Sequence, residues 1–293
     1  MQQPNTITIV SVCDNHYAIL LCALVKSIEI NHISEELIEF LIVEDGISLT
    51  NKSKIETSIK NPNLSVKWLP IKNCIPSSFR IPKDKSSLPK NVYARLFIPS
   101  FIRKEVTQVI YLDVDMIINE DVSKLWNINF GTNIVAAVQD QFVKIVSRWG
   151  GVSNYEEFQI SPDNKYFNSG LMIINLEKWR NAEVTDKVIR CIHENREHTK
   201  FPDQYGLNAI LFNEWFELDP LWNRFAYSED EKPYLIHFTG RKPIYRTYKF
   251  SEKYKDMFFS YLRQTEWKNF QPIGESKRYF KIATNIIGRY IKL

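Results

Sequence analysis

Two aspartates, Asp113 and Asp115, stand two residues apart where the apolar segment "VIYL" ends. In an extended chain, side chains at positions i and i+2 point to the same side. The two carboxylates would therefore repel each other, and the pKa of one should rise. A divalent cation removes this repulsion, and aspartate oxygens suit Mg²⁺ or Mn²⁺. The spacing therefore predicts a divalent metal site at this position.

His237, at the end of the segment "YLIHFTG", is the candidate third ligand. An imidazole added to two carboxylates shifts the preference of a site toward Mn²⁺. Each feature alone also has an ordinary structural explanation. An Asp-x-Asp pair can be a solvated turn at a strand end, and a histidine can simply be hydrogen-bonded there. The residues by themselves leave both explanations open.

Apolar strand-like segments alternate with segments of helical spacing along the chain. The predicted strands are "ITIVSVC", "IEFLIVED", "SVKWLPI", "TQVIYLDVD", "IVAAVQD", "YFNSGLMIINLEKW" and "YLIHFTG", and the segment "NVYARLFIPSFI" fits a helix that breaks at Pro99. Nearly continuous apolar strands need cover on both faces, which predicts an α/β fold with a mostly parallel sheet. Ligands of such sheets bind beyond the carboxyl ends of the strands. The polar residues at these ends are Asp14, Asp45, Asp113, Asp115, Asp140 and His237.

Composition favours a folded α/β protein and argues against several other classes. The chain has 293 residues, 44% of them hydrophobic, which suits one large domain or two small ones. The four scattered cysteines lack a C-x-x-C pair, so we expect buried free thiols. The polar N-terminus is not typical of a secretory signal, and no apolar stretch is long enough to span a bilayer.

The net charge of +4 lies entirely in the last twenty residues, 274–293, so the rest of the chain is neutral. A diffuse nucleic-acid surface on the body is therefore not supported, and no nucleic-acid partner is expected. On a helix, the five basic residues of this tail would face away from its aromatic and aliphatic residues. That pattern is typical of an interfacial helix on anionic lipid. The alternative is a C-terminal helix that packs its apolar face on the domain.

Six blocks of sequence, in order, resemble the retaining glycosyltransferases of family 8, especially the bacterial lipopolysaccharide galactosyl- and glucosyltransferases. They are "IVSVCDNHYAILLCALVKSI", "VYARL", "VIYLDVDMIINEDVSKLW", "YFNSGLMIINLEKWR", "PDQYGLN" and "HFTGRKPI". The resemblance runs from about residue 7 to 245. Six ordered blocks are far more specific than a single Asp-x-Asp motif, and they favour the metal-site interpretation of Asp113, Asp115 and His237.

The resemblance implies a GT-A (Rossmann-like) catalytic domain over residues 1–250. A C-terminal helical extension, residues 251–293, would carry the basic tail. The domain would bind a UDP-sugar together with Mn²⁺, or Mg²⁺ as the alternative. Asp113, Asp115 and His237 would hold the metal, and Val114 would lie against the nucleotide.

The resemblance also implies roles for other residues. The uracil would be held by Asp14 and Tyr17, and the diphosphate would be bound by Gly240 and Lys242. Arg95 would approach both the sugar and the diphosphate. The sugar pocket would be lined by Asn168, Gly170, Asp203 and Gln204. The catalytic set would be Gln204, Asp203, Asn168 and Arg95, with Gln204 beneath the reacting carbon and Asp140 on the acceptor side. We also expect Trp149, in the "RWGG" loop, to contact the acceptor.

Two departures from the family pattern leave contacts open. The last block, "HFTGRKPI", is one residue short and has Ile244 where tryptophan is usual. Arg241 is therefore an alternative to Lys242 at the diphosphate. In the first block, His16 stands where an asparagine is familiar.

The predicted function is retaining transfer of galactose or glucose from a UDP-sugar to an oligosaccharide or glycolipid acceptor in lipopolysaccharide or other cell-surface glycan synthesis. The enzyme would be cytoplasmic and attached peripherally to the inner face of the cytoplasmic membrane through residues 274–293. One alternative is an inactive module that only binds nucleotide sugars. Another is a sugar-nucleotide pyrophosphorylase, which should open with a glycine-rich loop, whereas "CDNHYA" contains no glycine.

Overall fold

Strands and helices alternate along the chain, as the sequence predicts. The computed structural model describes residues 6–77, 79, 90–227, 229, 232–276, 279, 280 and 283. The strands found there are β1 (Thr6–Asp14), β2 (Leu37–Asp45), β3 (Leu64–Pro70), β4 (Gln108–Leu112), β5 (Met116–Ile118), β6 (Val135–Gln139), β7 (Phe167–Asn175), β8 (Trp215–Glu217), β9 (Arg224–Phe225) and β10 (Leu235–His237). The α-helices are α1 (Ala18–Asn31), α2 (Leu49–Ser58), α3 (Ile98–Phe101), α4 (Val122–Trp126), α5 (Leu176–Asn181), α6 (Val184–Glu194), α7 (Pro202–Ile210) and α8 (Glu252–Leu262).

The larger sheet has seven strands in the order β3-β2-β1-β4-β7-β6-β8, and a smaller sheet has the order β5-β10-β9. In the larger sheet β1 pairs with β2, β2 with β3, and β6 with β8 in parallel, whereas β6 and β7 are antiparallel. The predicted class, an α/β fold with a mostly parallel central sheet, is confirmed.

The chain divides into two compact units, each assembled from segments that are not contiguous in sequence. Unit 1 comprises the described residues within Met1–Pro70, Leu112–Ile128 and Pro220–Lys281, and unit 2 those within Ile71–Tyr111, Asn129–Asp219 and Ile282–Leu293. The predicted boundary between residues 250 and 251 stays a prediction.

The core of unit 1 is built on β1 and α1. All residues of α1 from Ala18 to Glu29 are buried, as expected for a helix that is apolar on nearly every side. Helix α8 covers α1 with Tyr254, Phe258 and Leu262, in a cluster that also contains aromatic residues from the segment after β10. The elements that end in candidate site residues are therefore fixed by apolar packing.

Unit 2 contains an irregularity where β6 meets β7. The register pairs Ala137 with Met172 but Val138 with Asn168, so residues 169–171 have no partner on β6. Such irregularities are frequent next to active sites because they redirect side chains and release backbone groups from the strand ladder. Here the released segment is the "SGL" that follows Asn168.

The segment "NVYARLFIPSFI" differs from its predicted form. Lys90–Phe97 is a 3₁₀ helix, and α3 then begins at Ile98 with Pro99 in its first turn. Proline is well suited to the first turn because its missing N–H would have no partner within the helix there. Pro99 therefore lies in the first turn of a helix, and the predicted helix break at this residue is wrong.

Other predictions concern the thiols and the tail. The four cysteines are free and buried, as expected. Within the described ranges, no helix combines the length and the hydropathy needed to cross a bilayer. Most of the predicted basic tail, including all five of its basic residues, lies outside the described residues. Tyr279 and Phe280, which are described, are exposed.

Candidate active site

Asp113, Asp115 and His237 come together in unit 1. The aspartates lie in the turn between β4 and β5, and His237 ends β10, which pairs with β5 so that His237 stands opposite Met116. His237 Nε2 lies 3.2 Å from Asp115 Oδ1 and 4.0 Å from Asp113 Oδ2. One ligand atom from each residue falls within 4.8 Å of the other two. Strand pairing therefore assembles the Asp–Asp–His triad that the sequence predicts.

Asn223, which is fully buried, fixes the orientation of the His237 ring. His237 Nδ1 lies 3.0 Å from Asn223 Oδ1, so the Nδ1–H donates to the amide oxygen and Nε2 is left to face the carboxylates. This is the usual arrangement for a metal-binding histidine. Sequence reasoning missed Asn223, and the segment "PLWN" carries no motif that singles it out.

Lys242 supplies a cation to the same triad. Its ammonium donates to Asp115 Oδ2 and, at 2.8 Å, to the carbonyl of Phe238. Burial alone would raise the pKa of Asp115, but the adjacent Lys242 ammonium and the contact with His237 outweigh burial and hold that pKa well below its usual range. Asp115 is therefore held as a carboxylate, which is the form that binds a metal.

The turn before Lys242 requires glycine. Gly240 has a φ of +71°, and a Cβ atom there would lie 2.5 Å from the Tyr227 hydroxyl. Arg241, the alternative diphosphate residue, points elsewhere, since it donates to Glu275 at 2.6 Å and to Thr247. Of the two, Lys242 is the one bonded to the triad. Val114, between the aspartates, is partly buried.

The candidate uracil-binding residues lie where β1 turns into α1. Asp14 Oδ1 accepts from the backbone N–H groups of His16, at 2.9 Å, and Tyr17, at 3.1 Å. Asp14 thus makes the tight turn that a glycine-rich loop makes in other nucleotide-binding folds. Burial raises the pKa of Tyr17 far above its usual range. His16 Nε2 lies 2.7 Å from the Tyr245 hydroxyl, so His16 also has a defined partner in unit 1.

A second group of candidate residues is centred on Gln204 in unit 2. Gln204 Oε1 accepts from Ser169 N at 3.0 Å and from Asn168 Nδ2 at 3.2 Å, and Gln204 Nε2 donates to Asp140 Oδ2 at 3.3 Å. Asn168 Nδ2 also donates to Asp140 Oδ2, at 3.1 Å. We call Asp140, Asn168, Ser169 and Gln204 the Gln204 cluster. All four are buried, so their polar groups depend on one another for hydrogen bonds.

The register shift between β6 and β7 explains how this cluster forms. Ser169 N donates to Gln204 Oε1, and Gly170 N donates to Asn168 Oδ1 at 3.1 Å, so side chains satisfy two backbone amides of the released segment. Sequence reasoning assigned Asn168 and Gly170 by resemblance but missed Ser169, because a backbone N–H leaves no signal in residue type.

Arg95 and Asp203 form a buried pair beside the Gln204 cluster. Arg95 Nε lies 3.2 Å from Asp203 Oδ2, and Arg95 Nη1 donates to the Ser169 carbonyl at 3.0 Å. The guanidinium also lies 4.7 Å from the centre of the Tyr111 ring, a cation–π contact. A buried arginine held on three sides is a fixed positive charge next to the amides of β7.

The two groups suit different chemistry. The triad with Lys242 offers two carboxylates, an imidazole and an ammonium, a set that fits a divalent metal and an anionic ligand such as a diphosphate. The Gln204 cluster offers a neutral carboxamide that cannot titrate. It is held between the Asp140 carboxylate, the Asn168 side-chain amide and the backbone N–H of Ser169. That arrangement can orient a polar ligand and stabilise developing charge without a proton transfer.

Comparisons with known proteins agree with this geometry. The profile of glycosyl transferase family 8 matches residues 8–243. General stress protein A of Bacillus subtilis is 31% identical over 289 residues, covering 91% of this chain and 96% of that protein. The galactosyltransferase LgtC, solved with donor and acceptor sugar analogues, has a TM-score of 0.72 at 22% identity, over 90% of this chain and all (100%) of that one.

The bifunctional glycosyltransferase WbbM has a TM-score of 0.75 at 21% identity, and the match covers 97% of this chain but 52% of that one. At these identities the two structures show the fold alone, which is the GT-A fold that the sequence predicts. The family match covers most of the chain and includes the triad and the Gln204 cluster. The chain therefore belongs to glycosyl transferase family 8.

Proposed function

We propose that the protein transfers a hexose, galactose or glucose, from a UDP-sugar to a saccharide acceptor with retention of anomeric configuration, and that transfer depends on Mn²⁺. The triad of Asp113, Asp115 and His237 carries this proposal. It combines two carboxylates with an imidazole whose Nε2 faces them. Carboxylates alone suit Mg²⁺ equally well, and the imidazole makes Mn²⁺ the preferred ion.

The metal would be held by Asp113, Asp115 and His237, and when bound it supplies positive charge for the leaving diphosphate. Asp14 and Tyr17, at the turn into α1, would hold the uracil. Lys242, on a loop that contains Gly240, would exchange its bond to Asp115 for one to the diphosphate. An ammonium suits this role because it is a compact charge on a flexible stem.

The Gln204 cluster would act on the transferred sugar. As the bond from the sugar to the diphosphate breaks, the ring gains positive character, and amide oxygens stabilise it. The hydrogen bonds from Ser169 N and Asn168 Nδ2 to Gln204 Oε1 fix the position of that oxygen. Asn168 and Asp203 would orient the sugar hydroxyls, and Arg95 would add positive charge for the leaving group.

Two alternatives compete with this proposal. A catalytically inactive nucleotide-sugar-binding protein would keep the fold but lose site residues, whereas this chain has the complete triad and the Gln204 cluster. A sugar-nucleotide pyrophosphorylase would need a glycine-rich phosphate loop after β1. Here Asp14 makes that turn through its side chain, which favours transfer over pyrophosphorolysis.

Release of UDP from UDP-glucose and UDP-galactose, with Mn²⁺ and separately with Mg²⁺, tests the proposal. We expect UDP release with one of the two donors and faster release with Mn²⁺. Formation of sugar 1-phosphate after addition of pyrophosphate would identify a pyrophosphorylase. Nucleotide binding without release of either product would identify the inactive protein.

We further propose that the acceptor belongs to a cell-surface glycan such as lipopolysaccharide, and that residues 274–293 attach the enzyme to the inner face of the cytoplasmic membrane. Five basic residues and one acid in this tail support the proposal. Each basic residue near an anionic surface contributes about 1 kcal/mol. Co-sedimentation of the full chain and of a chain lacking residues 274–293 with anionic and neutral vesicles is the test. Equal binding to both kinds of vesicle would contradict it.

A further inference from the structure

A strip of exposed apolar and basic side chains follows Asp140 in unit 2. Its members are Phe142, Lys144, Val146, Arg148 and Trp149. Phe142 and Trp149 are each 63% exposed, far more than aromatic residues usually are. The intervening residues Val143 and Ile145 are buried in a cluster with Tyr205 of α7, and this alternation turns the strip outward. We call residues 142–149 the acceptor strip.

The acceptor strip is held in place at both ends. At its start, Asp140 Oδ1 accepts from Phe142 N at 3.0 Å and from Val143 N at 2.9 Å. At its end, the carbonyl of Gly150 accepts from the buried Tyr166 hydroxyl at 2.7 Å. The exposed rings therefore stand on a fixed backbone, and a ligand that stacks on them pays little to order them.

The Trp149 side chain also has a defined orientation. It meets Phe201 edge to face, with ring centroids 5.0 Å apart, so the indole faces are not stacked on Phe201. Phe201 precedes α7, and its carbonyl accepts from Tyr205 N at 2.7 Å. Gln204 therefore lies within the first turn after the residue that supports Trp149. One helical turn is about 5.4 Å.

Two of the supports of the acceptor strip, Asp140 and Phe201, thus lie in the Gln204 cluster or next to its helix. Asp140 belongs to the cluster and bonds Gln204 directly, at 3.3 Å. The strip thus begins two residues after a member of the Gln204 cluster, and its exposed Phe142 and Trp149 belong to the same unit. An indole face offers a large, rigid apolar area that suits the C–H face of a pyranose ring.

The charges of the acceptor strip indicate which class of ligand it suits. Lys144 and Arg148 are exposed, and within the described part of the chain neither side chain has an ion-pair partner. Aromatic rings interleaved with cations suit a sugar chain that bears negative charge.

We propose that the acceptor strip binds the acceptor as an anionic saccharide chain, with Trp149 stacked on a sugar ring and Lys144 and Arg148 paired with acidic groups. This inference rests on the proposed function, because it assigns the acceptor of that same reaction. The acidic groups are phosphodiesters or carboxylates, which share the charge that Lys144 and Arg148 recognise.

Calorimetry on the full chain with UDP and Mn²⁺ tests the inference, with three probes. Maltotriose is neutral, trigalacturonic acid carries carboxylates, and a glycerol phosphate oligomer carries phosphodiesters. We expect at least one acidic probe to bind about tenfold more tightly than maltotriose, a difference of about 1.4 kcal/mol. The better acidic probe identifies the source of the charge.

Substitutions show which residues of the acceptor strip bind the acidic probe. Trp149→Ala should weaken binding of the acidic probe about tenfold, and Trp149→Phe, which keeps an aromatic face, should restore most of it. Arg148→Gln and Lys144→Gln should weaken the acidic probe only and reduce its salt dependence. Phe216→Ala is the matched control, because this ring on β8 is also exposed, at 37%, but lies outside the strip.

Three results would overturn the inference: equal binding of maltotriose and the acidic probes, unchanged affinity in both Trp149→Ala and Arg148→Gln, or binding of anionic vesicles with none of the oligosaccharides bound. UDP release from the donor by the wild-type protein, measured without acceptor, tests the proposed function separately. Loss of donor chemistry and loss of acceptor selectivity are thus distinguishable.

Discussion

The triad of unit 1 is partly buried and the Gln204 cluster of unit 2 is buried, and the two polar groups are stabilised in different ways. In the triad, two carboxylates are balanced by His237 and by the ammonium of Lys242. In the Gln204 cluster, a single carboxylate, Asp140, is bonded by amide N–H groups. The first is held by charges that can be exchanged, and the second by hydrogen bonds of fixed direction.

This difference indicates how each group is used. A cluster balanced by a lysine can release that lysine when a metal arrives, because a divalent ion supplies more charge at the same carboxylates. The Gln204 cluster has no such exchange available, since removing any partner leaves a buried polar group without its bond. We therefore expect variants of the triad to change metal binding, and variants of the Gln204 cluster to change catalysis.

The largest effect should come from Asp115→Asn. Asparagine keeps the shape but removes the charge that binds metal and accepts from Lys242, so Mn²⁺ binding should be lost and turnover should fall at least about 10³-fold. Asp113→Asn and His237→Ala should act in the same direction. Calorimetric titration of Mn²⁺ in the presence of UDP is the measurement. Asp186→Asn, an exposed carboxylate on α6, is the matched control, and wild-type Mn²⁺ affinity in Asp115→Asn would reject the triad as the metal site.

Gln204→Ala tests the Gln204 cluster and should change catalysis. We expect kcat to fall about 10²-fold with little change in UDP affinity, because the amide acts on the charged transition state. The variant also leaves Ser169 N without its acceptor, which should lower the free energy of unfolding by about 1–3 kcal/mol. Steady-state kinetics and thermal unfolding separate these two consequences.

A rise in KM for the donor at unchanged kcat would show that Gln204 only binds substrate. Gln264→Ala, at an exposed amide after α8, controls for loss of a glutamine as such. If both variants behave alike, the Gln204 cluster has no special role and the contrast between the two units fails.

The sequence predicted these two groups to different degrees. Asp113, Asp115 and His237 were singled out as candidates because charged residues at strand ends are visible in the residue types themselves. The resemblance then favoured a metal site over an ordinary structural role. Gln204 and Asn168 were found only through the resemblance to a family, since amides at such positions are usually ordinary hydrogen-bonding residues. Alternating apolar segments similarly predicted the sheet, because burial on both faces leaves a continuous apolar run.

What the sequence did not predict depends on contacts between distant segments. Asn223 acts through a buried hydrogen bond to a residue 14 positions away, and Ser169 acts through its backbone N–H. The hydrogen bond from Lys242 to Asp115 spans 127 positions. None of these follows from local spacing, because local patterns report burial and backbone conformation but not which side chains the folded chain brings together.

Asn223→Leu sharpens the comparison by removing a support of the triad without touching a ligand. Leucine has a similar volume but cannot accept from His237 Nδ1, so the imidazole loses its fixed orientation. Mn²⁺ affinity in the presence of UDP should fall about 10- to 100-fold. Asn223→Asp keeps an acceptor oxygen and should retain most of the affinity, and equal losses in both variants would indicate a packing defect instead.

Lys242→Met should give the smallest effect, and one of opposite sign. Without UDP, Mn²⁺ must displace the Lys242 ammonium from Asp115. Removal of the ammonium should therefore tighten Mn²⁺ binding about 2- to 5-fold, because a partly exposed ion pair is worth about 1 kcal/mol or less. With Mn²⁺ saturating, UDP affinity should fall instead, since the cation proposed for the diphosphate is gone. Arg241→Met is the matched control, because Arg241 pairs with Glu275 and Thr247 away from the triad. The opposite result is that Arg241→Met weakens UDP binding while Lys242→Met changes neither the Mn²⁺ affinity nor the UDP affinity. In that case Arg241 would bind the diphosphate, and Lys242 would be a fixed structural partner of Asp115 and not an exchangeable cation.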